Sequence, residues 1–201
     1  MLYAGKLDPA EIVAGCVAIY EDAFPSWQQA IAVAEEQAQD PESSCSWSRA
    51  ETIGSGIYQD RRTNMIMGIT DAAEQGNAVM RQIHNQTYLS IVAATNDYGQ
   101  RFKISESFHH EPYGMLKYRG GQMYGSHHDA GINVPRSVSA VVYLNEDYEG
   151  GEIEFVNFGI KIKPLPGMLI LFPSNFAYEH VAHPVTKGTK YAIVTWLREA
   201  N

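Results

Sequence analysis

From about residue 100 onward the chain is a succession of short apolar segments separated by Gly and Pro, and this pattern limits the fold more than any other feature. Candidate strands are Met115–Tyr118, Met123–His127, Val138–Leu144, Ile153–Phe155, Gly159–Ile162, Met168–Phe172, Glu179–His183 and Tyr191–Leu197. Between them stand Gly120-Gly121, Gly150-Gly151, the stretch from Pro164 to Gly167, Pro173 and Gly188, residues that end strands and turn the chain. Eight short strands in about a hundred residues describe a sandwich or a jelly roll.

The first hundred residues read differently. Gly15 to Tyr20 is a short apolar run, expected as a strand. Ser26 begins a capping-box pattern that opens a helix from Trp27 to about Gln39, with Trp27, Ile31 and Ala34 on one face. A second helix is expected from Asp71 to about Asn96, striped by Val79, Ile83, Leu89 and Val92, with a candidate break at Asn85 to Thr87. The expectation is one domain of α+β type, dominated by β structure: 1–100 as mainly helical support, 101–201 as the β core. The segment from Glu51 to Ile69, rich in Gly and Arg, is expected as a lid.

Composition removes several classes. No apolar run approaches 18 residues, so no membrane span is expected. The N-terminal MLYAGKLDPAE lacks the basic region and apolar core of a signal peptide, and a cytoplasmic protein is expected. Cys16 and Cys45 form no metal or redox motif and read as reduced, structural cysteines. A net charge of −8 makes nucleic acid a poor partner, because phosphate binding rests on Lys and Arg.

Against this background stands a spaced set: His127-x-Asp129, His180 51 residues after the Asp, and Lys190 ten residues further on. His-x-Asp alone arises by chance at about 0.3 per chain of this composition. Its placement at the end of an expected strand adds weight. On extended backbone His127 and Asp129 share a side and His128 points away. Two imidazoles and one carboxylate suit iron(II) with coordination positions left open. Zinc is the rival for such a set, but a structural zinc site closes with a fourth ligand, often Cys, and no helix-borne His-Glu-x-x-His pattern is present.

The C-terminal half resembles the catalytic domain of the prolyl 4-hydroxylases, within the iron(II)/2-oxoglutarate-dependent dioxygenases. The matching segments are Tyr118 to Asp129, Arg136 to Asn145, Glu149 to Phe155, Pro166 to Phe172, and His180 through Pro184-Val185, Gly188, Lys190 and Trp196. Upstream, Arg62-Thr63-Asn64 is similar to an Arg-Thr-Ser stretch near the substrate channel of these enzymes.

The resemblance implies a double-stranded β-helix (jelly roll) core. It implies iron(II) held by His127, Asp129 and His180, and 2-oxoglutarate whose far carboxylate pairs with Lys190 and meets Tyr118 or Tyr143. Tyr124, Trp196 and Arg62 are the implied substrate-pocket residues, although an arginine such as Arg62 is by default a solvated charge. The implied reaction uses O2 and 2-oxoglutarate to hydroxylate a prolyl residue of a peptide or protein, releasing succinate and CO2, and related enzymes often use ascorbate to rescue oxidised iron. Val181 and Ile153 depart from the family pattern, which has an acidic residue and Thr there. Rival readings are hydroxylation of a free amino acid, repair of an alkylated nucleobase, or a non-catalytic metal-binding jelly roll. His109-His110 reads as surface, with a lid role as an alternative.

Overall fold

Val17–Tyr20, Val138–Tyr143 and Leu169–Pro173 are nearly unbroken apolar runs, with no polar face to turn to water. Strands of that kind need a sheet covered on both sides. The computed structural model, which describes residues 11–51, 61–105 and 107–200, meets that need with helices on one face and a second sheet on the other.

In chain order, strands β1 (Glu11–Val13) and β2 (Val17–Tyr20) precede helix α1 (Trp27–Gln39). Strands β3 (Ser48–Arg49) and β4 (Met65–Gly68) follow, then helices α2 (Ile69–Glu74) and α3 (Ala78–Phe102). The remaining strands are β5 (Phe108–His110), β6 (Gly114–Arg119), β7 (Tyr124–His127), β8 (Val138–Tyr143), β9 (Glu149–Gly150) and β10 (Ile153–Phe155). They end with β11 (Ile160–Ile162), β12 (Leu169–Pro173), β13 (His180–Ala182), β14 (Val185–Lys187) and β15 (Thr189–Glu199).

The larger sheet runs β1-β2-β12-β8-β15-β6-β4-β3, with β5 also paired to β15. The smaller runs β11-β10-β13-β7. All of these pairings are antiparallel, and the result is a jelly roll with helices packed outside its larger sheet.

Side-chain alternation builds two cores from one sheet. Ala18, Tyr20, Ala140, Val142, Leu169, Leu171 and Ile193 face the helices. Val17, Ile19, Tyr143, Ile170 and Phe172 face the smaller sheet and meet Ile153 and Phe155. Helix α1 contributes Ala30 and Ala34 to the first core, and α3 contributes Met80, Ile83, Ile91 and Tyr98.

Several local expectations change. The first hundred residues supply strands as well as helices: β1 and β2 extend the larger sheet at one edge, β3 and β4 at the other. The strand expected from Gly15 starts at Val17, because Ala14 and Gly15 turn the chain with φ of 49° and 76°. The expected long helix breaks at Gly76 (φ 101°), and Asn77 caps α3 by accepting from the Met80 N–H at 3.0 Å. No break occurs at Asn85 to Thr87, where Thr87 instead bonds back to the Ile83 carbonyl at 2.8 Å. Ser26 makes no side-chain cap, its ψ of 21° being unlike the extended backbone that aims a capping hydroxyl. Of the expected lid, Met65–Gly68 is strand β4 paired with β6, while residues 52–60 lie outside the described residues. His110 is part-buried in β5 beside β15 and bonds the Tyr113 hydroxyl at 2.6 Å, so of this pair His109 alone is at the surface.

Leu171 is fully buried on the helix-facing side. Leu171→Ala is expected to lower unfolding free energy by about 2–5 kcal/mol in urea titration, because the cavity it leaves is enclosed by sheet and helices.

Candidate active site

Alternate residues of β15, namely Lys190, Ala192, Val194 and Trp196, line one narrow cavity between the two sheets. Their neighbours Ile193 and Leu197 point the other way, into the helix-facing core. The same alternation turns Leu116 and Tyr118 of β6, and Val141 and Tyr143 of β8, into the cavity. Register places Tyr118 directly opposite Lys190, and Tyr143 opposite Ala192. All nine residues singled out in the sequence, Arg62, Tyr118, Tyr124, His127, Asp129, Tyr143, His180, Lys190 and Trp196, line this cavity.

At one end, His127 and His180 face each other across paired strands β7 and β13. Their rings stand 4.2 Å apart between centroids. His127 Nε2 lies 3.6 Å from Asp129 Oδ1 and His180 Nε2 lies 3.7 Å from Asp129 Oδ2. One ligand atom from each of the three residues lies within 4.8 Å of the others. Each imidazole is oriented through its other nitrogen: His127 Nδ1 bonds the Gly125 carbonyl at 2.8 Å, and His180 Nδ1 the Tyr178 carbonyl at 3.0 Å. Tyr124 stacks on His127 at 3.5 Å, and Phe172 meets His180 edge-on.

Burial works to raise the Asp129 carboxyl, and this is outweighed by His180, His127, the Ser139 hydroxyl and the Trp196 indole, leaving it below the ordinary carboxylate range. Ser139 Oγ donates to Asp129 Oδ2 at 2.6 Å. The Trp196 N–H makes no hydrogen bond of ordinary geometry among the described residues. Burial, with His180 next, holds the His127 imidazole down at about 3, so it is neutral and able to donate a lone pair.

At the other end lies Lys190, 3 % exposed. Its ammonium donates to the Gly151 carbonyl at 2.6 Å and stands 5.0 and 5.5 Å from the ring centres of Tyr143 and Tyr118. No described carboxylate forms an ion pair with it. Burial, and then Lys163, push its pKa down to about 7, against a raising pull from Glu152. Burial also pushes the Tyr118 hydroxyl up to about 12, and the Tyr143 hydroxyl well above its ordinary range. Both phenols are therefore neutral donors at neutral pH.

Arg62 is 6 % exposed, contrary to its solvated default. Its guanidinium lies 4.6 Å over the Tyr124 ring, with Nη1 bonded to the Glu51 carbonyl at 2.6 Å and Nε to Asn64 at 3.3 Å. A backbone bridge between Arg62 and Tyr124 fixes this wall of the cavity. Ser139, Ser174 and Glu111 were not foreseen as parts of the site. The only trace of Ser139 in the sequence is a small hydroxyl inside an apolar strand, on the side that reaches Asp129. Ser174 accepts the Asp129 and Ala130 N–H groups at 3.1 and 2.8 Å from a distant segment, and nothing in the sequence marks it.

Comparison with known proteins agrees with this geometry. Residues 113–198 match the 2OG-Fe(II) oxygenase superfamily. A PKHD-type hydroxylase of Pseudoalteromonas atlantica is 32% identical over 139 residues, which cover 63% of this chain and 55% of that protein. Another PKHD-type hydroxylase, from Alteromonas mediterranea, is 40% identical over 94 residues, 41% of each chain. The chain thus spans about half the length, or less, of the curated relatives it matches.

Among solved structures, a prolyl hydroxylase of Trichoplax adhaerens in complex with a hypoxia inducible factor peptide fragment has the same fold. Its TM-score is 0.68 at 19% identity, covering 92% of this chain and 84% of that one. A prolyl-4-hydroxylase of Pseudomonas putida gives 0.61 at 22% identity, covering 92% and 94%. The resemblance to 2OG-Fe(II) oxygenases therefore holds for the segment that carries the triad and Lys190, and the fold of these prolyl hydroxylases matches across nine tenths of the chain.

A lysine of pKa about 7 in the folded chain, against 10.5 when unfolded, leaves the unfolded state holding more protons between those values. The cost of Lys190 to stability therefore shrinks as pH rises through that window and is largest below it. The unfolding free energy of the parent is expected to rise relative to Lys190→Met, with a slope approaching ~1.4 kcal/mol per pH unit above about pH 7. Parallel urea-derived profiles for the two proteins would contradict this.

Proposed function

We propose that this chain is an iron(II)- and 2-oxoglutarate-dependent hydroxylase whose substrate is a prolyl residue in a peptide or protein. The observation that carries the reading is one cavity with a His/Asp/His cluster at one end and, at the other, a buried cation that pairs with no carboxylate among the described residues.

The donor set fits iron(II). Two imidazole nitrogens and one carboxylate converge from one side, each histidine oriented by a carbonyl behind it. His127, Asp129 and His180 would hold the metal. When bound, iron(II) would supply the coupling of O2 and 2-oxoglutarate consumption, with release of succinate and CO2, to conversion of a substrate C–H to C–OH.

The chain's own residues would do the rest. Lys190 would pair with the far carboxylate of 2-oxoglutarate, and the neutral hydroxyls of Tyr118 and Tyr143 would donate to it. A buried cation offsets the desolvation of an incoming carboxylate far better than neutral donors alone. Leu116, Val141, Ile153, Ala182 and Val194 keep that end of the cavity dry. Ile153, standing where the family has Thr, adds to the apolar lining. Arg62, Tyr124 and Trp196 flank the metal end and would orient the substrate there.

The prolyl assignment draws support from the names of relatives: human Prolyl 3-hydroxylase 2 at 39% identity over 66 residues, and a prolyl hydroxylase structure with bound peptide. Ascorbate would serve as the reductant that restores iron after uncoupled turnover.

Incubation with iron(II), 2-oxoglutarate and proline-rich peptides is expected to give peptides heavier by one oxygen, with matching succinate. His127→Ala is expected to lower succinate formation by 100-fold or more. Lys190→Ala is expected to raise the 2-oxoglutarate KM by at least about tenfold, the loss of one charge-assisted contact. Hydroxylation of free amino acids with peptides untouched would overturn the prolyl assignment; absence of iron-dependent succinate would overturn the activity.

A further inference from the structure

We propose that Arg136, gripped by Glu111, is a positioning residue that holds Asp129 in register with the two histidines. This rests on the metal-centre reading above. His127 and His180 sit on paired strands, directly opposite one another, and the ladder sets their spacing. Asp129 lies beyond the end of β7 and belongs to no ladder. Its place depends on three separate contacts, one to each of its polar groups. Its N–H donates to the Ser174 carbonyl at 3.1 Å, its carboxylate accepts from Ser139, and its carbonyl accepts from Arg136 Nη1 at 3.2 Å.

Arg136 is itself immobilised. Its Nε and Nη2 fork onto the Glu111 carboxylate at 2.9 and 2.6 Å, and its guanidinium lies 3.6 Å over the Trp196 ring. The side chain is 6 % exposed. Glu111 is in turn fastened to β15. Its N–H donates to the Trp196 carbonyl at 2.8 Å, and its carbonyl accepts from the Thr195 hydroxyl at 2.6 Å. A continuous path thus runs from the central strand through Glu111 and Arg136 to the ligand that lacks a strand of its own. The same guanidinium seats the Trp196 indole, which lines the cavity together with Asp129.

A planar fork suits this task. Two parallel bonds to Glu111 fix the plane of the guanidinium, and Nη1 is then aimed rather than free to swing. A lysine would keep the charge and lose the aim. The competing reading is that Arg136–Glu111 is a buried ion pair serving stability alone. Both readings expect a lower melting temperature on substitution, and only positioning expects a specific loss at the metal.

The probe is cobalt(II) alone, titrated into purified full-length protein and followed by visible absorption, at a temperature where each protein is folded. The variants are Arg136→Lys, Glu111→Gln, which retains an acceptor, and the double change Arg136→Met/Glu111→Leu, which replaces the pair with apolar volume. The control is Lys117→Met, which breaks the Lys117–Glu35 pair (2.7 Å) where α1 meets the sheet, away from the cavity.

The expected result is cobalt binding at least tenfold weaker in Arg136→Lys and in the double variant than in Lys117→Met, with Glu111→Gln shifted in the same direction. Loosening of second contacts to metal ligands typically costs that much. Affinities within tenfold of the control would overturn the proposal, leaving the pair a stability element. Failure of the parent to bind cobalt, or binding indifferent to His127→Ala, would instead remove the metal-centre reading.

Discussion

Strand β15 is hydrogen-bonded to β6 over Thr189–Val194 and to β8 over Ala192–Leu197, with β5 taking its last residues. Little of β15 can slide, because a shift of one residue would turn Ile193 and Leu197 out of the helix-facing core and Lys190 into it. That double pairing therefore sets the distance between the two working ends of the cavity. Lys190 and Trp196 lie six residues apart on one face of that strand. The smaller sheet then only has to bring β7 and β13 over the Trp196 end. Phe155, Phe172 and His180 pack together there and hold the two sheets in contact.

The two ends solve opposite electrostatic problems. At the triad end the cost of burying Asp129 is outweighed by the histidines, Ser139 and Trp196, so the carboxylate stays charged and the His127 imidazole neutral, the states a divalent metal requires. At the far end no described carboxylate forms an ion pair with Lys190; the Gly151 carbonyl and the surrounding tyrosines contact it, and the pull of Glu152 does not outweigh its burial. An isolated buried cation destabilises the chain that carries it. Its persistence beside two neutral phenols makes sense if a carboxylate arrives with a ligand. Backbone geometry protects the arrangement: Gly151 has φ of 69°, and a β-carbon there would stand 2.8 Å from the Tyr148 ring and 3.2 Å from the Lys190 side chain.

The strands of the core were legible because Gly and Pro mark their ends and because strands buried on both faces are apolar throughout, as in Val138–Tyr143 and Leu169–Pro173. Where polar residues continue a ladder the sequence is quiet. Thr189, Lys190, Arg198 and Glu199 extend β15 beyond its expected ends because their backbones pair with β6 and β5. The triad and Lys190 were legible as a spacing only with the family resemblance, and the cavity now brings together all nine residues named from the sequence. The partners that hold those residues were not legible. Ser174 and Glu111 reach Asp129 and Arg136 across 45 and 25 positions of chain, and each is an ordinary polar residue in its local setting. The burial of Arg62 was missed for the same reason. It follows from a bridge to Tyr124 that only the folded chain makes.

The central claim is that one cavity joins a metal to a dicarboxylate held at its far end by Lys190. Calorimetric binding of 2-oxoglutarate without oxygen, in the presence and absence of manganese(II), tests it most directly. The account predicts binding that strengthens by at least tenfold when the metal is present. It also predicts that the gain vanishes in His180→Ala, and that Lys190→Met lowers 2-oxoglutarate affinity while leaving manganese affinity unchanged. Equal 2-oxoglutarate affinity with and without the metal, or undiminished affinity in Lys190→Met, would contradict it.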